Sequence, residues 1–147
     1  MKDYSDQNVR NVCLVGHAGA GKTTLSEVML LKSGAINRLG SVEEGTTVSD
    51  FRAEEKERHS SVFSSPLFCE WNDNLLFFID TPGFADFQGD KISAMATADA
   101  TLLVVDAVGG LETGTIRSWK NAKSTARMFY INGMDKEHAD FFQVIDA

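Results

Sequence analysis

Short apolar runs alternate with amphipathic stretches along this chain. "NVCLVG" (11–16) is apolar at positions of both parities, the pattern of a strand buried on both faces. "LLFFI" (75–79), "TLLVV" (101–105) and "RMFYI" (127–131) read the same way. "SVFSSPLFCEW" (61–71) predicts a further strand, and Pro66 assigns it to a sheet edge. The following "NDN" predicts a hairpin turn. Between the strands the period becomes helical. "KTTLSEVMLLKSG" (22–34) sets Leu25, Val28, Met29 and Lys32 on one face and stops at Gly34. Helices are also predicted over 89–100, over 112–126 with an imperfection at Gly114, and from 136 to the end. Residues 35–60 are polar and weakly periodic, which predicts a long loop with a short helix near 53–58. A loop of that length in a compact domain is usually functional or mobile.

Strands separated by helices predict an α/β fold with a mostly parallel sheet, the 61–79 hairpin excepted. The runs end in Gly16, Asp80, Asp106 and Asn132, so four chemically useful turns converge on one sheet edge. Ligands of such sheets bind beyond the carboxyl ends of the strands.

A chain of 147 residues suits one domain. Its formal charge of −7 argues against direct binding of bare nucleic acid, though not against a nucleoprotein partner reached through other parts of a longer protein. Cys13 and Cys69 suggest reduced thiols rather than a disulfide framework. The polar N-terminus shows no signal peptide, and no apolar run approaches the ~20 residues that cross a bilayer. The expectation is a cytoplasmic protein with no membrane partner.

"GHAGAGKT" (16–23) fits GxxxxGK[ST] between a strand and a helix. Gly16, His17, Ala18, Gly19, Ala20 and Gly21 would turn backbone N–H groups around phosphate oxygens. The helix start adds its positive end, and Thr24 lies in its first turn. Lys22 would reach the terminal phosphates, and the Thr23 hydroxyl would ligate Mg²⁺. "DTPG" (80–83) places Asp80 at a strand tip, where it would hold a metal-bound water, followed by Thr81, Pro82 and Gly83. Gly83 would offer its N–H to a γ-phosphate oxygen and swing away after hydrolysis. "NGMD" (132–135) follows the last apolar run. Asp135 would accept from guanine N1–H and the exocyclic amine, Asn132 would brace the loop against the phosphate loop, and Met134 lies between them. Singly, DTPG also fits a type I turn and NGMD an Asx-rich turn. In this order they read as one nucleotide site.

With these motifs the chain resembles the G domain of translational GTPases, elongation factor G and its elongation-factor-G-like relatives in particular. "GHAGAGKTTL", "GTTVSDFRAEEKERHSSV", "DTPGFADF", "LLVVDAVGGLETGT" and "INGMDKEHADF" carry the resemblance across nearly the whole chain. It implies a three-layer P-loop GTPase domain over 1–147, binding of GTP or GDP with Mg²⁺, partner-stimulated hydrolysis, and a ribosome partner for a monomeric full-length protein. It also makes about 35–61 the first switch region and Ser61 the counterpart of a metal-binding threonine, beside Thr23 and Asp80. Lys22 and Gly83 would act in the chemistry.

Three departures stand out. Phe84 replaces a histidine that orients the attacking water, Gly133 replaces a lysine that packs over the base, and the chain stops before the family's last strand, last helix and guanine-contacting Ser-Ala loop. They keep two further readings open: a nucleotide-dependent switch with negligible hydrolysis, and an inactive truncated fragment. His17, His59 and His138 read as surface or loop residues, with His59 close to the switch. Trp71 and Trp119 read as packing residues.

Overall fold

The computed structural model describes residues 2–147. Five strands form one sheet: β1 (Val9–Gly16), β2 (Ser65–Trp71), β3 (Asn74–Asp80), β4 (Ala100–Asp106) and β5 (Ala126–Asn132). Their order is β2-β3-β1-β4-β5. The pairs β1/β3, β1/β4 and β4/β5 are parallel, and only β2 runs antiparallel, against β3. Pro66 therefore lies on an edge strand, as expected. The connecting and flanking helices are α1 (Lys22–Ser33), α2 (Ala53–Arg58), α3 (Gln88–Thr97), α4 (Thr113–Asn121) and α5 (Phe141–Asp146), with short 3₁₀ turns such as Ala85–Phe87 completing the connections.

The two parities of β1 serve two cores. Cys13 and Val15 pack with Ala94, Met95, Ala98, Leu103 and Ala122 on the α3/α4 side. Leu14 and Val12 pack with Leu30, Leu67, Cys69 and Phe78 on the α1 side. Helices thus cover both faces of the sheet, giving three layers. Both cysteines are free and buried.

Several boundaries differ from those the sequence predicts, each for a local reason. β2 starts at Ser65 rather than 61, because the Val62 and Phe63 N–H groups donate to the Glu55 carboxylate instead of a ladder. α3 stops at Thr97, where Ala98 is extended and the Asp99 N–H donates to the Asn11 carbonyl at 3.0 Å. α4 stops at Asn121 and tightens into a 3₁₀ turn at Ala122–Ser124. α5 starts at Phe141, not 136: His138 has a left-handed backbone (φ 67°), and Asp140 caps the helix by accepting from the Gln143 N–H at 3.0 Å.

The helical face of α1 also differs. Its buried residues are Lys22, Thr23, Ser26, Glu27 and Leu30, while Val28 is exposed. Leu25 and Met29 pack with Leu30 against the α1-side core, so an apolar stripe runs beside the buried polar start and the buried Glu27. Trp71 and Trp119 are both partly exposed, so neither is a core residue. Trp119 lies between the Arg127 guanidinium, 3.6 Å from its ring centre, and Phe129, stacked at 5.2 Å.

Candidate functional site

β1, β3, β4 and β5 are mutually parallel in the sheet, so Gly16, Asp80, Asp106 and Asn132 close the same edge. At Gly16 a Cβ would run into the Val104 carbonyl, so the glycine permits close approach of β1 and β4. Gly21 precedes α1 in the left-handed region with no side-chain cap. The first-turn N–H groups of a twelve-residue helix are left for a ligand. Lys22 is buried and donates from Nζ to the His17 carbonyl at 2.8 Å. Burial lowers its pKa to about 8, against the opposing pull of Asp80. A polyanion beside Nζ would favour the charged form.

Thr23 and Asp80 meet beneath this loop. The Thr23 hydroxyl donates to Asp80 Oδ2 at 2.7 Å and lies 3.1 Å from the Ser61 hydroxyl. Thr23 spends its proton on Asp80, so Ser61 is the donor of the second bond. Asp80 Oδ1 is buried without a hydrogen-bond partner, as are both carboxylate oxygens of Asp50. Burial raises the Asp80 carboxyl above its ordinary range and pushes that of Asp50 to about 6. Two hydroxyls and two under-partnered carboxylates are hard oxygen donors of the kind Mg²⁺ takes. The residues present therefore fit the cation that the sequence implies. Asp50, only 3% exposed, lies within "GTTVSDFRAEEKERHSSV", where nothing in the local pattern marks its carboxylate as a ligand.

Two further buried acids organise the polar 35–63 stretch. Glu27 of α1 accepts from the Gly40 N–H at 2.9 Å and from the Val48 N–H at 2.6 Å. Glu55 of α2 accepts from the N–H groups of Arg52, Val62 and Phe63. These bonds carry Asp50 and Ser61 to the phosphate loop. Helical periodicity hides both acids, since a glutamate in a helix normally signals a solvated face.

His17 turns away from the phosphate loop toward α4. Its Nδ1 accepts from the Gly114 N–H at 3.3 Å, and Nε2 lies 3.4 Å from Glu112. A Cβ at position 114 would come within 2.9 Å of the His17 Cα, so the glycine that spoils the helical pattern makes room for the loop. In the NGMD turn, Asn132 Nδ2 donates to the Ala20 carbonyl at 2.9 Å. Gly133 is left-handed (φ 75°), and the Lys136 stem lies against it while its ammonium pairs with Asp106. Met134 and Asp135 are exposed.

A cavity of about 340 Å³ opens over these elements. Of the sequence-predicted residues it brings together Ala18, Gly19, Gly21, Lys22, Thr23, Thr24, Ser61 and Gly83, and it adds Asp50, His59 and Phe84. Gly83 is pressed against the loop: a Cβ there would lie 2.5 Å from the Ala18 Cα. Asp80, Thr81 and Pro82 are buried behind it, and the Thr81 hydroxyl donates to the Leu14 carbonyl at 2.6 Å. Gly16, His17 and Ala20 shape the loop from behind, and Asn132, Met134 and Asp135 belong to the neighbouring turn.

A three-layer α/β sheet with a glycine loop, a buried lysine and paired hydroxyls at its carboxyl edge defines a P-loop nucleotide-binding domain. The chain belongs to the elongation factor Tu GTP binding domain family, which it matches over residues 7–147. It is the GTP-binding domain of an elongation-factor-G-like protein. It is 38% identical over 138 residues to the mitochondrial ribosome-releasing factor 2 of Candida dubliniensis, covering 92% of this chain and 17% of that protein. It is 37% identical to the protein of the same name from Culex quinquefasciatus, covering 92% and 18%. A crystal structure of a Thermus thermophilus protein superposes with a TM-score of 0.90 at 40% identity, covering 93% of this chain and 21% of that one. A bacterial selenocysteine-specific elongation factor, EF-Sec, gives a TM-score of 0.64 at 26% identity over 83% of this chain and 19% of its own. The chain thus spans under a fifth of the curated relatives' length. Among the described residues no helix is long and apolar enough to cross a membrane.

Proposed function

We propose that residues 1–147 serve as the GTP-hydrolysing switch domain of a monomeric, cytoplasmic factor that works on the ribosome, with about 35–61 as its first switch region. The relatives named ribosome-releasing factor support the partner. The observation that carries the chemistry is the grouping of Lys22, Thr23, Ser61 and Gly83 around one cavity, with the under-partnered Asp80 directly beneath.

Each residue has a role the geometry suits. Lys22 and the N–H groups at the start of α1 neutralise the β- and γ-phosphates. Gly83 reaches the γ-phosphate through its N–H because no side chain holds it off. Asp135, exposed beside the braced Asn132, selects guanine. Thr23 and Ser61 would hold Mg²⁺ directly, with Asp80 and Asp50 behind them. That ion would stabilise charge on the transferring phosphoryl group. Catalysis of this type is mainly positioning and electrostatics.

Single-turnover GTP hydrolysis by the complete protein, with and without ribosomes, tests this reading. Ribosome-stimulated, Mg²⁺-dependent turnover that is lost in Lys22→Ala supports it, and metal-independent turnover unaffected by that substitution refutes it. Phe84 favours a second reading, a nucleotide-dependent binding switch. Its phenyl ring lines the cavity, is 49% exposed and offers no hydrogen bond to water. Tight GTP binding without hydrolysis in the presence of ribosomes would select that alternative.

A further inference from the structure

Hydrolysis of a terminal phosphate needs a water held in line with the breaking bond by a hydrogen-bond acceptor. Next to Gly83 on the cavity wall, position 84 supplies only a phenyl ring, which cannot accept a hydrogen bond. Lys22, Thr23, Asp50 and Ser61 are committed to phosphate and cation in the reading above. The polar side chains left along the wall are those of Thr24, Glu43, His59 and Ser60.

His59 differs from the others in how it is held. It follows α2 in the left-handed region (φ 50°), a conformation uncommon for a residue with a Cβ. Its backbone N–H donates to the Glu55 carbonyl. Its ring Nδ1 lies 3.3 Å from the Val42 carbonyl. A carbonyl oxygen only accepts, so Nδ1 carries the proton and the neutral ring keeps its lone pair on Nε2. His59 and Phe84 line the same cavity, His59 from the 35–61 stretch and Phe84 from the DTPG turn, and the tautomer set by the Val42 carbonyl leaves His59 an acceptor at Nε2. Glu43 also has acceptors, but its negative charge is repelled by the γ-phosphate.

We propose that His59 is the water-orienting residue of this site, doing from the 35–61 stretch what Phe84 cannot do from the DTPG turn. The inference rests on the hydrolytic reading above. Nε2 accepts a hydrogen bond from the attacking water. The water oxygen bonds to the γ-phosphorus as the bond from that phosphorus to the β,γ-bridging oxygen breaks. The electron pair of the broken bond leaves with GDP, and both water protons end on inorganic phosphate, so His59 returns unchanged.

The test uses the complete protein with Mg²⁺ and GTP, measuring the single-turnover rate and, separately, the affinity for a non-hydrolysable GTP analogue. His59→Gly is the primary variant because glycine accommodates φ 50° and keeps the switch backbone intact. It is expected to slow hydrolysis at least about tenfold and to leave affinity within about twofold. His59→Gln, whose amide can both donate to Val42 and accept from water, and imidazole added to His59→Gly should each recover part of the rate. A His59→Gly protein hydrolysing at the unmutated rate overturns the proposal. So does a rate loss in Glu43→Gln that His59→Gly lacks. If the unmutated protein binds GTP but never hydrolyses it, with or without ribosomes, the hydrolytic reading itself fails and this inference falls with it.

Discussion

Asp50 shows how a single residue is decided by its surroundings. Its two oxygens are buried without partners, and burial raises its pKa to about 6. The folded protein therefore keeps a proton on Asp50 between roughly pH 4 and 6, where the unfolded chain has released it. A cation needs that proton gone. Mg²⁺-dependent nucleotide affinity should accordingly rise as pH increases from about 5 to 7, and Asp50→Asn should weaken the affinity at pH 7 and flatten the rise. Titrations of nucleotide binding at several pH values check this, and an unchanged pH profile in Asp50→Asn would exclude Asp50 from the proposed cation site. Asp80 was legible in the sequence because it ends an apolar strand and opens a DxxG turn. Asp50 was not, because only the folding of a long polar loop brings it under Thr23 and Ser61.

At the scale of elements the same contrast recurs. The strand–helix alternation, the edge position of Pro66 and the bracing of Asn132 against Ala20 follow from local pattern and motif order. The organisation of residues 35–63 does not, because it depends on Glu27 and Glu55 receiving N–H groups from several turns away. Glu55→Ala would strip partners from the N–H groups of Arg52, Val62 and Phe63. These donors are only part-buried, so each loss costs at most what a fully buried, unsatisfied donor does, about 1–3 kcal/mol. The loop should open locally while the sheet holds. Amide hydrogen exchange should speed up over residues 52–63 and stay slow in β1, β3 and β4. Unchanged protection around Val62 and Phe63 would show that Glu55 does not hold this stretch.

For the molecule as a whole, the far side of the sheet sets the limit on stability. β5 is an edge strand whose Met128 is 67% exposed, and Phe129 and Tyr130 beside it are also open. Phe142 of α5 is 75% exposed. Covering even one such side chain is worth about 1.5–3 kcal/mol, against a typical domain stability of about 5–15 kcal/mol. Residues 1–147 prepared alone should melt early or aggregate, with nucleotide raising the midpoint. A soluble monomer with a high, nucleotide-independent melting temperature would contradict that.

The phosphate loop, DTPG and NGMD together make one proposed guanine-nucleotide site. Equilibrium affinities of the complete protein for GTP, GDP and ATP in Mg²⁺ test it most directly, together with the same titrations of Asp135→Asn against xanthine nucleotides. Guanine nucleotides should bind at least about a hundredfold more tightly than ATP, a difference of roughly 2.8 kcal/mol, with the variant's preference moving toward xanthine. Equal affinity for ATP and GTP in the unmutated protein would contradict it.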